Sequence, residues 1–597
     1  MSKNLPQRNE INEMDTWKLE DIFATDTLFL ETLQKAKEAI GPFSAYEGKL
    51  LNRSDILLAF LRAQDALSEK INKLYVYSHM RLHQDGQNTT YQDFANQTEL
   101  LSIQAAEALA FASPELSQLT IEKLDVFLKE TPALGLYTRY LQEILRQKAH
   151  ILDSKMESLL AKVSEVADAP SNIFAMFNNV DLSFPLISNE KGEEVRLTHG
   201  TYIHYLESKD RKVREEAFSA LYKTYASYKN MLATTFSANI KQYGLFASVR
   251  GFESPLHYAL SANNIPTSVY NNLLTTVNEN LTILHDYMTL RKDLLGVKEL
   301  HMYDLFTPMV KDFELKISYD EACDMILKAL APLGEEYVSI VKRGFNERWV
   351  DKYENQGKRS GAYSWGCHGI PHPYVLMNYV DNLSNLFTLA HEMGHALHSY
   401  YSHKEQPFIY GDYCIFVAEV ASTVNEALLM QYLLKTVTDP NYKKYLLNYF
   451  MEQFKSTLYR QTMFAEFEKD MHSMNQEGKT LTSELLCSHY LHLVRKYHGE
   501  AVTVDQLIEN EWSRIPHFYT PFYVYQYATG YSAAIALSTR ILEEGEPAVK
   551  AYLHFLKGGS SKDPIDLLKD AGVDMSTPFP IEQALEKFKE LIIQMKM

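Results

Sequence analysis

The sequence predicts a mainly α-helical protein, and three observations support this fold class. Apolar residues recur at three- and four-residue spacing over long segments, β signals are confined to two short stretches, and glycine and proline are scarce. The 597 residues include only 24 glycines and 20 prolines, which are about 4% and 3% of the chain. The usual shares are about 7% and 5%. With 46% hydrophobic and 23% charged residues, the chain can bury a large core and is not predominantly disordered.

The predicted helices follow one another along most of the chain. They cover residues 27–40, 55–83, 100–112, 139–166, 209–243, 266–294, 319–343, 440–470 and 581–596. The β signals predict a hairpin from Phe184–Ile187 and Val195–Leu197, and one further strand within His372–Val380. The hairpin is the best candidate for a domain boundary. It separates an N-terminal helical region, residues 1–200, from a catalytic region, residues 201–597, which contains every chemical motif described below.

The charge and the cysteine content restrict the partners and the compartment. The chain has 76 acidic and 59 basic residues, a net charge of −17, whereas proteins that bind nucleic acid usually carry a basic surplus. An anionic membrane surface would repel this charge, and no apolar stretch is long enough for a spanning helix. The four cysteines form no CxxC pair, and the N-terminus lacks the apolar core of a secretion signal. We therefore expect a cytoplasmic protein with no nucleic-acid or membrane partner.

The segment Leu389–His398 contains an HExxH sequence, in which His391 and His395 are four residues apart. It lies in an apolar-periodic run that follows Ser384, a plausible helix N-cap. Side chains at i and i+4 share one face of a helix, so both imidazoles can bind one metal ion. Glu392 is rotated by about 100° from His391, so it can hold a metal-activated water without binding the ion itself. The alternative is a helix whose histidines merely have core or surface partners, because the motif is short.

A third metal ligand is expected from a second helix. His398 and Tyr401 stand where an HExxHxxGxxH enzyme has its glycine and its third histidine, so that class is excluded. The apolar segment Phe416–Leu428 contains Glu419 and Glu426, which lie on roughly one helical face. A buried carboxylate needs a partner, and we predict that Glu419 binds the metal ion. Glu426 either orients a ligand histidine or forms an ordinary salt bridge. His398 is expected to pack or to contact a ligand, and not to bind the ion itself.

Residues 515–531 are rich in aromatic side chains. Thr520 and the proline after it predict a helix start, which would place Tyr523 and Tyr527 on one helical face. His517 lies just before this start. Imidazole and phenol groups can donate hydrogen bonds to an oxyanion beside a metal ion. Stacking of these rings in the core is the alternative interpretation.

These motifs together resemble oligoendopeptidase F, a bacterial branch of the thimet-oligopeptidase-like zinc metallopeptidases. The resemblance rests on HEMGHALH at residues 391–398, FVAEVASTVNEAL at 416–428 and HFYTPFYVYQYATGYSAA at 517–534. TWKLEDIF at 16–23 and GAYSWGCHGIPHPY at 361–374 extend it over nearly the whole chain. It implies a two-lobed zincin-type metallopeptidase with a deep central channel, a small β-sheet near the active site and one Zn²⁺ ion.

The resemblance also implies a role for each matching residue. The matches are His391, His395 and Glu419 as zinc ligands, Glu392 as general base, and His517, Tyr523 and Tyr527 as groups that bind substrate and the transition state. Which tyrosine faces the oxyanion is left open, as is the choice of zinc over manganese or cobalt. The expected activity is zinc-dependent hydrolysis of internal peptide bonds in short, unfolded oligopeptides.

Three other functions are left open by the sequence. A carboxypeptidase on a similar helical scaffold would need a group that captures the terminal carboxylate of the substrate. A non-catalytic peptide-binding protein would not require Glu392, and a purely structural protein would leave Glu419 and Glu426 unexplained. In the preferred reading, residues 372–380 present an exposed strand edge that pairs with the peptide main chain. Oligopeptides are the expected partners, and no oligomeric state is predicted.

Overall fold

The computed structural model describes residues 5–310 and 315–597. It is 71% helical and has only small sheets, which confirms the mainly helical class predicted from the periodicity. Within the described residues, no helix has both the length and the apolar character needed to cross a membrane. The four cysteines are free thiols.

The helices of the described residues are numbered here in chain order. The first eight are α1 (Asp26–Glu38), α2 (Ser54–Gln84), α3 (Thr89–Leu109), α4 (Ala112–Leu116), α5 (Ile121–Glu130), α6 (Thr138–Gln147), α7 (Ser154–Ala167) and α8 (Ala169–Met176). The next eight are α9 (His199–Leu206), α10 (Arg211–Ser227), α11 (Lys229–Val249), α12 (Pro255–Ser261), α13 (Thr267–Glu279), α14 (Leu281–Leu295), α15 (Tyr319–Ala329) and α16 (Glu335–Asn346). The last are α17 (Leu383–Glu405), α18 (Ile415–Thr436), α19 (Pro440–Gln453), α20 (Arg460–Gln476), α21 (Ser483–His498), α22 (Tyr525–Glu544), α23 (Glu546–Leu556), α24 (Pro564–Asp570) and α25 (Phe579–Lys596).

Helix-breaking residues divide several of the segments that the periodicity predicts as single helices. The segment 266–294 is divided at Asn280, which has a φ of −115° and separates α13 from α14. The segment 319–343 is divided before Gly334, which has a φ of 91° and precedes α16. The apolar spacing continues on both sides of such breaks, so periodicity alone does not reveal them.

The strands are short and form three small sheets within the described residues. They are β1 (Leu186–Ser188), β2 (Glu194–Arg196), β3 (Leu300–His301), β4 (Val350–Asp351), β5 (Tyr363–Trp365), β6 (Tyr374–Leu376) and β7 (Val502–Thr503). β1 and β2 pair antiparallel and confirm the predicted hairpin, while β3 and β7 pair in parallel. The third sheet has the order β4–β6–β5, with β4 parallel and β5 antiparallel to β6.

The described residues group into two compact units, each built from separate stretches of chain. The first unit lies within residues 1–151, 314–433 and 537–573, and the second within residues 152–313, 434–536 and 574–597. The HExxH residues belong to the first unit and the aromatic segment after residue 515 to the second. The division into sequence regions 1–200 and 201–597 stays a prediction.

The N-terminal helices of the first unit share a buried core with the sheet that precedes the HExxH helix. Phe29 of α1 lies with its ring centroid 5.3 Å from Tyr77 of α2 and 4.6 Å from Phe94 of α3. Tyr374 and Leu376 of β6 belong to the same buried cluster. Aromatic pairs of this kind stabilise a core, and β6 packs in the same core as the N-terminal helices.

Candidate active site

Helix α17 carries the HExxH residues and begins at Leu383. Its N-cap is Asn382, whose side-chain oxygen accepts a hydrogen bond from the backbone N–H of Asn385 at 2.8 Å. The expectation that Ser384 caps this helix is wrong, because Ser384 already lies within the first turn. Asparagine and serine are about equally good N-caps, so the sequence did not distinguish two candidates that are two residues apart.

Helix α18 comes into backbone contact with α17 at Gly394, the residue before the second histidine. A Cβ atom added to Gly394 would lie 2.5 Å from Ser422 Cα and 2.7 Å from the carbonyl oxygen of Ala421. Only glycine allows this approach, which brings Glu419 of α18 to the face of α17 that carries the histidines. Sequence reasoning missed Gly394 because it treated the position as variable. A glycine within a helix, where it costs about 1 kcal/mol relative to alanine, was the available signal.

A buried asparagine ties the same two helices together. The side chain of Asn425 in α18 donates a hydrogen bond to the carbonyl of Ala390 in α17 at 3.1 Å. The Asn425 side-chain oxygen accepts a hydrogen bond from the Tyr337 hydroxyl of α16 at 2.9 Å. These bonds fix the rotation and the register of α18 against α17.

The side chains of His391, His395 and Glu419 converge on one point. The Nε2 atoms of the two histidines are 3.1 Å apart, and Glu419 Oε2 lies 3.2 Å from the first and 3.5 Å from the second. Donors about 2.0–2.1 Å from a tetrahedral zinc ion are about 3.3–3.4 Å from one another. The three donor atoms therefore have the spacing of three corners of one tetrahedral site.

Glu426 contacts the opposite nitrogen of the first histidine. Its Oε1 atom is hydrogen-bonded to His391 Nδ1, which leaves Nε2 directed towards Glu419. Carboxylate contacts of this kind set the tautomer and the ring orientation of histidines that bind metals. The structure thus shows Glu426 in contact with His391, as the first of the two alternatives for Glu426 predicts.

The carboxylates make the cluster favourable for positive charge. Burial alone would lower the pKa of His391, but hydrogen bonds with Glu419 and Glu426 raise it well above its usual value. Burial likewise opposes ionisation of Glu419, yet hydrogen bonds from His391 and His395 hold its pKa well below the usual range. A cation bound among these groups would be the charge partner that the buried carboxylates require.

Glu392 has different surroundings from Glu419. Its side chain is 7% exposed, and burial raises its pKa, although the charges of His391 and His395 oppose the shift. Its carboxylate also accepts a hydrogen bond from the backbone of Ser364 in β5. A carboxyl group with a raised pKa is suited to accepting and returning a proton near neutral pH.

The strand next to Glu392 is β5, and it is an edge of its sheet. Val375 of β6 pairs with both Val350 of β4 and Ser364 of β5. The expectation that residues 372–380 present an exposed edge is therefore wrong, because β6 is the central strand. Its continuous apolar run is typical of a strand covered on both faces. Among the residues that the structure describes, β5 pairs with β6 alone.

A pocket of about 370 Å³ adjoins β5 in the first unit. Its lining includes Asn72, Tyr75, Trp365, Ser399, Asp412 and Tyr413. Aromatic walls with a few polar groups are typical of ligand-binding pockets.

His398 packs, as expected. It is 1% exposed, and its ring stacks on Tyr413 with centroids 3.6 Å apart. Burial lowers the pKa of His398 to about 3, so the ring is neutral at ordinary pH.

The rings of His517, Tyr523 and Tyr527 form a cluster in the second unit. The centroid of His517 lies 5.8 Å from Tyr523 and 5.9 Å from Tyr527, and the two tyrosines are 5.5 Å apart. Burial lowers the pKa of His517, which favours the neutral imidazole. The structure thus brings together the three residues that the sequence selected from this segment.

The local structure of this segment differs from the prediction. Helix α22 begins at Tyr525, so the helix start expected at Thr520 is wrong and Tyr523 precedes the helix. A turn at Phe522, which has a φ of 58°, lies directly before Tyr523. A left-handed phenylalanine is rare, so the proline signal gave no indication of this turn.

Comparisons with known proteins identify the family of the chain. The profile of Peptidase family M3 matches residues 204–587, and that of Oligopeptidase F matches residues 115–184. The chain is 51% identical over 595 residues to oligopeptidase PepF of Bacillus subtilis (100% of this chain and 89% of that protein). It is 41% identical over 589 residues to group B oligopeptidase PepB of Streptococcus agalactiae (99% and 98%).

A structural comparison gives the same result. The crystal structure of oligoendopeptidase-F from Enterococcus faecium matches with a TM-score of 0.74 and 39% identity, covering 96% of this chain and 98% of that one. The residues matched by the profile of Peptidase family M3 include helices α17 and α18 of this chain. The chain therefore belongs to peptidase family M3, and it is a metalloendopeptidase of the oligoendopeptidase type.

Proposed function

We propose that this protein is a zinc-dependent endopeptidase that hydrolyses internal bonds of short, unfolded oligopeptides. The observation that carries the proposal is the convergence of His391 Nε2, His395 Nε2 and Glu419 Oε2 at tetrahedral spacing. The names of the relatives, which are oligopeptidases and oligoendopeptidases, support oligopeptides as the substrate class.

His391, His395 and Glu419 would hold the ion, and Glu426 would orient His391. A zinc ion bound there would act as a Lewis acid, which polarises the scissile carbonyl and lowers the pKa of the attacking water. Two imidazoles and one carboxylate are the donor set of several catalytic zinc sites. This donor chemistry supports zinc over the harder ions that prefer oxygen ligands alone.

Glu392 acts as general base in this proposal. It takes a proton from the attacking water and delivers it to the nitrogen of the leaving amine. Its burial and its raised pKa support the role, since proton exchange is most efficient when the pKa is close to the working pH. The hydrogen bond from Ser364 restrains the carboxylate orientation.

His517, Tyr523 and Tyr527 are proposed to donate hydrogen bonds to the oxyanion of the tetrahedral intermediate. The neutral form of His517 keeps one N–H available for donation, and each phenol has one O–H. Their clustering and the family resemblance support the assignment. Either tyrosine could be the principal donor.

The edge of β5 is proposed to pair with the peptide main chain. Main-chain pairing depends little on side-chain identity, so broad sequence tolerance is expected. The pocket beside β5 would then add a preference at one position of the substrate.

The test uses an internally quenched peptide whose two ends are chemically blocked. We expect cleavage at an internal bond, loss of cleavage after chelation, and recovery when zinc is returned. A carboxypeptidase would leave this peptide intact, and a peptide-binding protein would retain it uncut. Cleavage that persists in protein shown by elemental analysis to contain no metal would contradict the proposal.

A further inference from the structure

We propose that Glu468 is a positioning residue, which fixes the orientation of the segment carrying His517, Tyr523 and Tyr527 by holding the backbone of Phe522. The inference rests on the proposed oxyanion role of that segment. Glu468 lies on α20, and its effect on the reaction is indirect.

The backbone of Phe522 has the conformation that needs explaining. Its φ of 58° is in the left-handed region, which bulky L-residues rarely adopt. Such a conformation persists where the surrounding structure determines it. Because Tyr523 follows directly, the turn at Phe522 sets the direction in which the Tyr523 side chain leaves the backbone.

Glu468 supplies the contact to the strained peptide. The backbone N–H of Phe522 donates a hydrogen bond to Glu468 Oε1 at 2.7 Å, and both groups are buried. A hydrogen bond in a buried environment is strong and directional. It therefore constrains the peptide plane on the N-terminal side of Phe522.

Aromatic packing fixes the other half of the same residue. The Phe522 side chain is 3% exposed, and its ring centroid lies 4.7 Å from His472, 5.8 Å from Tyr270 and 6.3 Å from Tyr243. These rings come from three different helices of the second unit. The ring contacts and the hydrogen bond together determine both the backbone and the side chain of Phe522.

Burial of the Glu468 carboxyl group is expected to lower the free energy of unfolding. The residue is 1% exposed, and its Oε2 atom has no hydrogen-bond partner within the described residues. Burial raises the pKa of Glu468 to about 8, so the neutral acid is favoured at neutral pH. An apolar side chain would avoid this desolvation, whereas the hydrogen bond to Phe522 gives the polar group a specific role.

The main experiment compares Glu468→Met with Glu468→Gln. Methionine removes the oxygen acceptor at similar length, while glutamine keeps an oxygen acceptor and is uncharged like the favoured acid form. For Glu468→Met we expect kcat to fall roughly 10- to 100-fold, because small misplacements of catalytic groups have effects of this size. KM should change less than about threefold, bound zinc should stay stoichiometric, and Glu468→Gln should retain kcat within about threefold of wild type. Equal activity of wild type and Glu468→Met would overturn the inference.

A double-mutant cycle separates positioning from a general effect on folding. If Glu468 acts through the tyrosines, it should act through Tyr523 and Tyr527 together. Adding Tyr523→Phe and Tyr527→Phe to Glu468→Met should then lower kcat by much less than the effect of Glu468→Met multiplied by the effect of the two tyrosine changes. Fully multiplicative effects would contradict the inference. If His517→Ala, Tyr523→Phe and Tyr527→Phe each retain wild-type kcat, the oxyanion proposal fails instead. If any of these three variants has a lower kcat and Glu468→Met does not, only the role of Glu468 fails.

A measurement on the unmodified protein covers the case in which Glu468→Met does not fold. Hydrogen–deuterium exchange resolved to single amides should show strong protection of Phe522, because its N–H is buried and bonded to Glu468. Rapid exchange of this amide in the wild-type protein would overturn the inference without any variant. In folded Glu468→Met, exchange should increase at Phe522, and unchanged exchange there would also contradict the inference.

Discussion

At the scale of single residues, two glutamates in one cluster have opposite properties. Hydrogen bonds from His391 and His395 hold the pKa of Glu419 low despite burial, so this side chain stays ionised as a metal ligand requires. Burial raises the pKa of Glu392, which suits a group that exchanges protons. Two carboxyl groups whose surroundings shift their pKa values in opposite directions commonly have different roles in a reaction.

Replacing the general base should separate metal binding from catalysis. For Glu392→Gln we expect unchanged zinc content and a loss of kcat of roughly 10²- to 10⁴-fold, because glutamine cannot accept the proton. Activity on the blocked peptide and elemental analysis are measured on the same preparation. Glu405→Gln, at the exposed end of the same helix, is the control and should behave as wild type. Near-full activity of Glu392→Gln would remove the assignment.

The two glutamates of α18 should differ in their effect on zinc. Glu419→Ala removes a proposed ligand and should give protein that loses its zinc to a mild chelator. Glu426→Gln should weaken zinc binding by about 10- to 100-fold, because it removes a contact that orients His391. Competition with a chromogenic chelator measures both affinities. Tightly held, stoichiometric zinc in Glu419→Ala would indicate a different ligand.

At the scale of elements, the site depends on how closely α17 and α18 pack. The i, i+4 spacing was sufficient to predict that His391 and His395 share a helical face. The sequence could not show that Gly394 removes the side chain that would separate the helices, because that depends on which helix packs there. Likewise, the strand run at residues 372–380 was recognisable, but its central place between β4 and β5 depends on pairing with distant segments.

Adding one methyl group at the helix contact should therefore disturb the site. For Gly394→Ala we expect a loss of stability of about 1–3 kcal/mol from overpacking, together with weaker zinc binding as Glu419 moves away from the histidines. Thermal unfolding and chelator competition measure the two effects. Gly135→Ala is the matched control, since a Cβ atom there would have no neighbour within 4 Å. If both alanine variants bind zinc as tightly as wild type, the close approach at Gly394 is not needed for the site.

At the scale of the whole molecule, each compact unit is assembled from distant stretches of the chain. The helical class and the HExxH site were predictable, because periodicity and short motifs are local properties of a sequence. The grouping of residues 1–151 with 314–433 was not, because it is determined by long-range packing. The same limit applies to Phe522, whose left-handed backbone is hydrogen-bonded to Glu468, far away in sequence.

The most direct test of the account is a crystal structure of the zinc-loaded protein with anomalous diffraction data collected at the zinc absorption edge. We predict one anomalous peak at bonding distance, about 2.0–2.2 Å, from His391 Nε2, His395 Nε2 and a carboxylate oxygen of Glu419. A peak located elsewhere, or a Glu419 side chain directed away from both imidazoles, would contradict the proposed metal site and the hydrolytic function built on it.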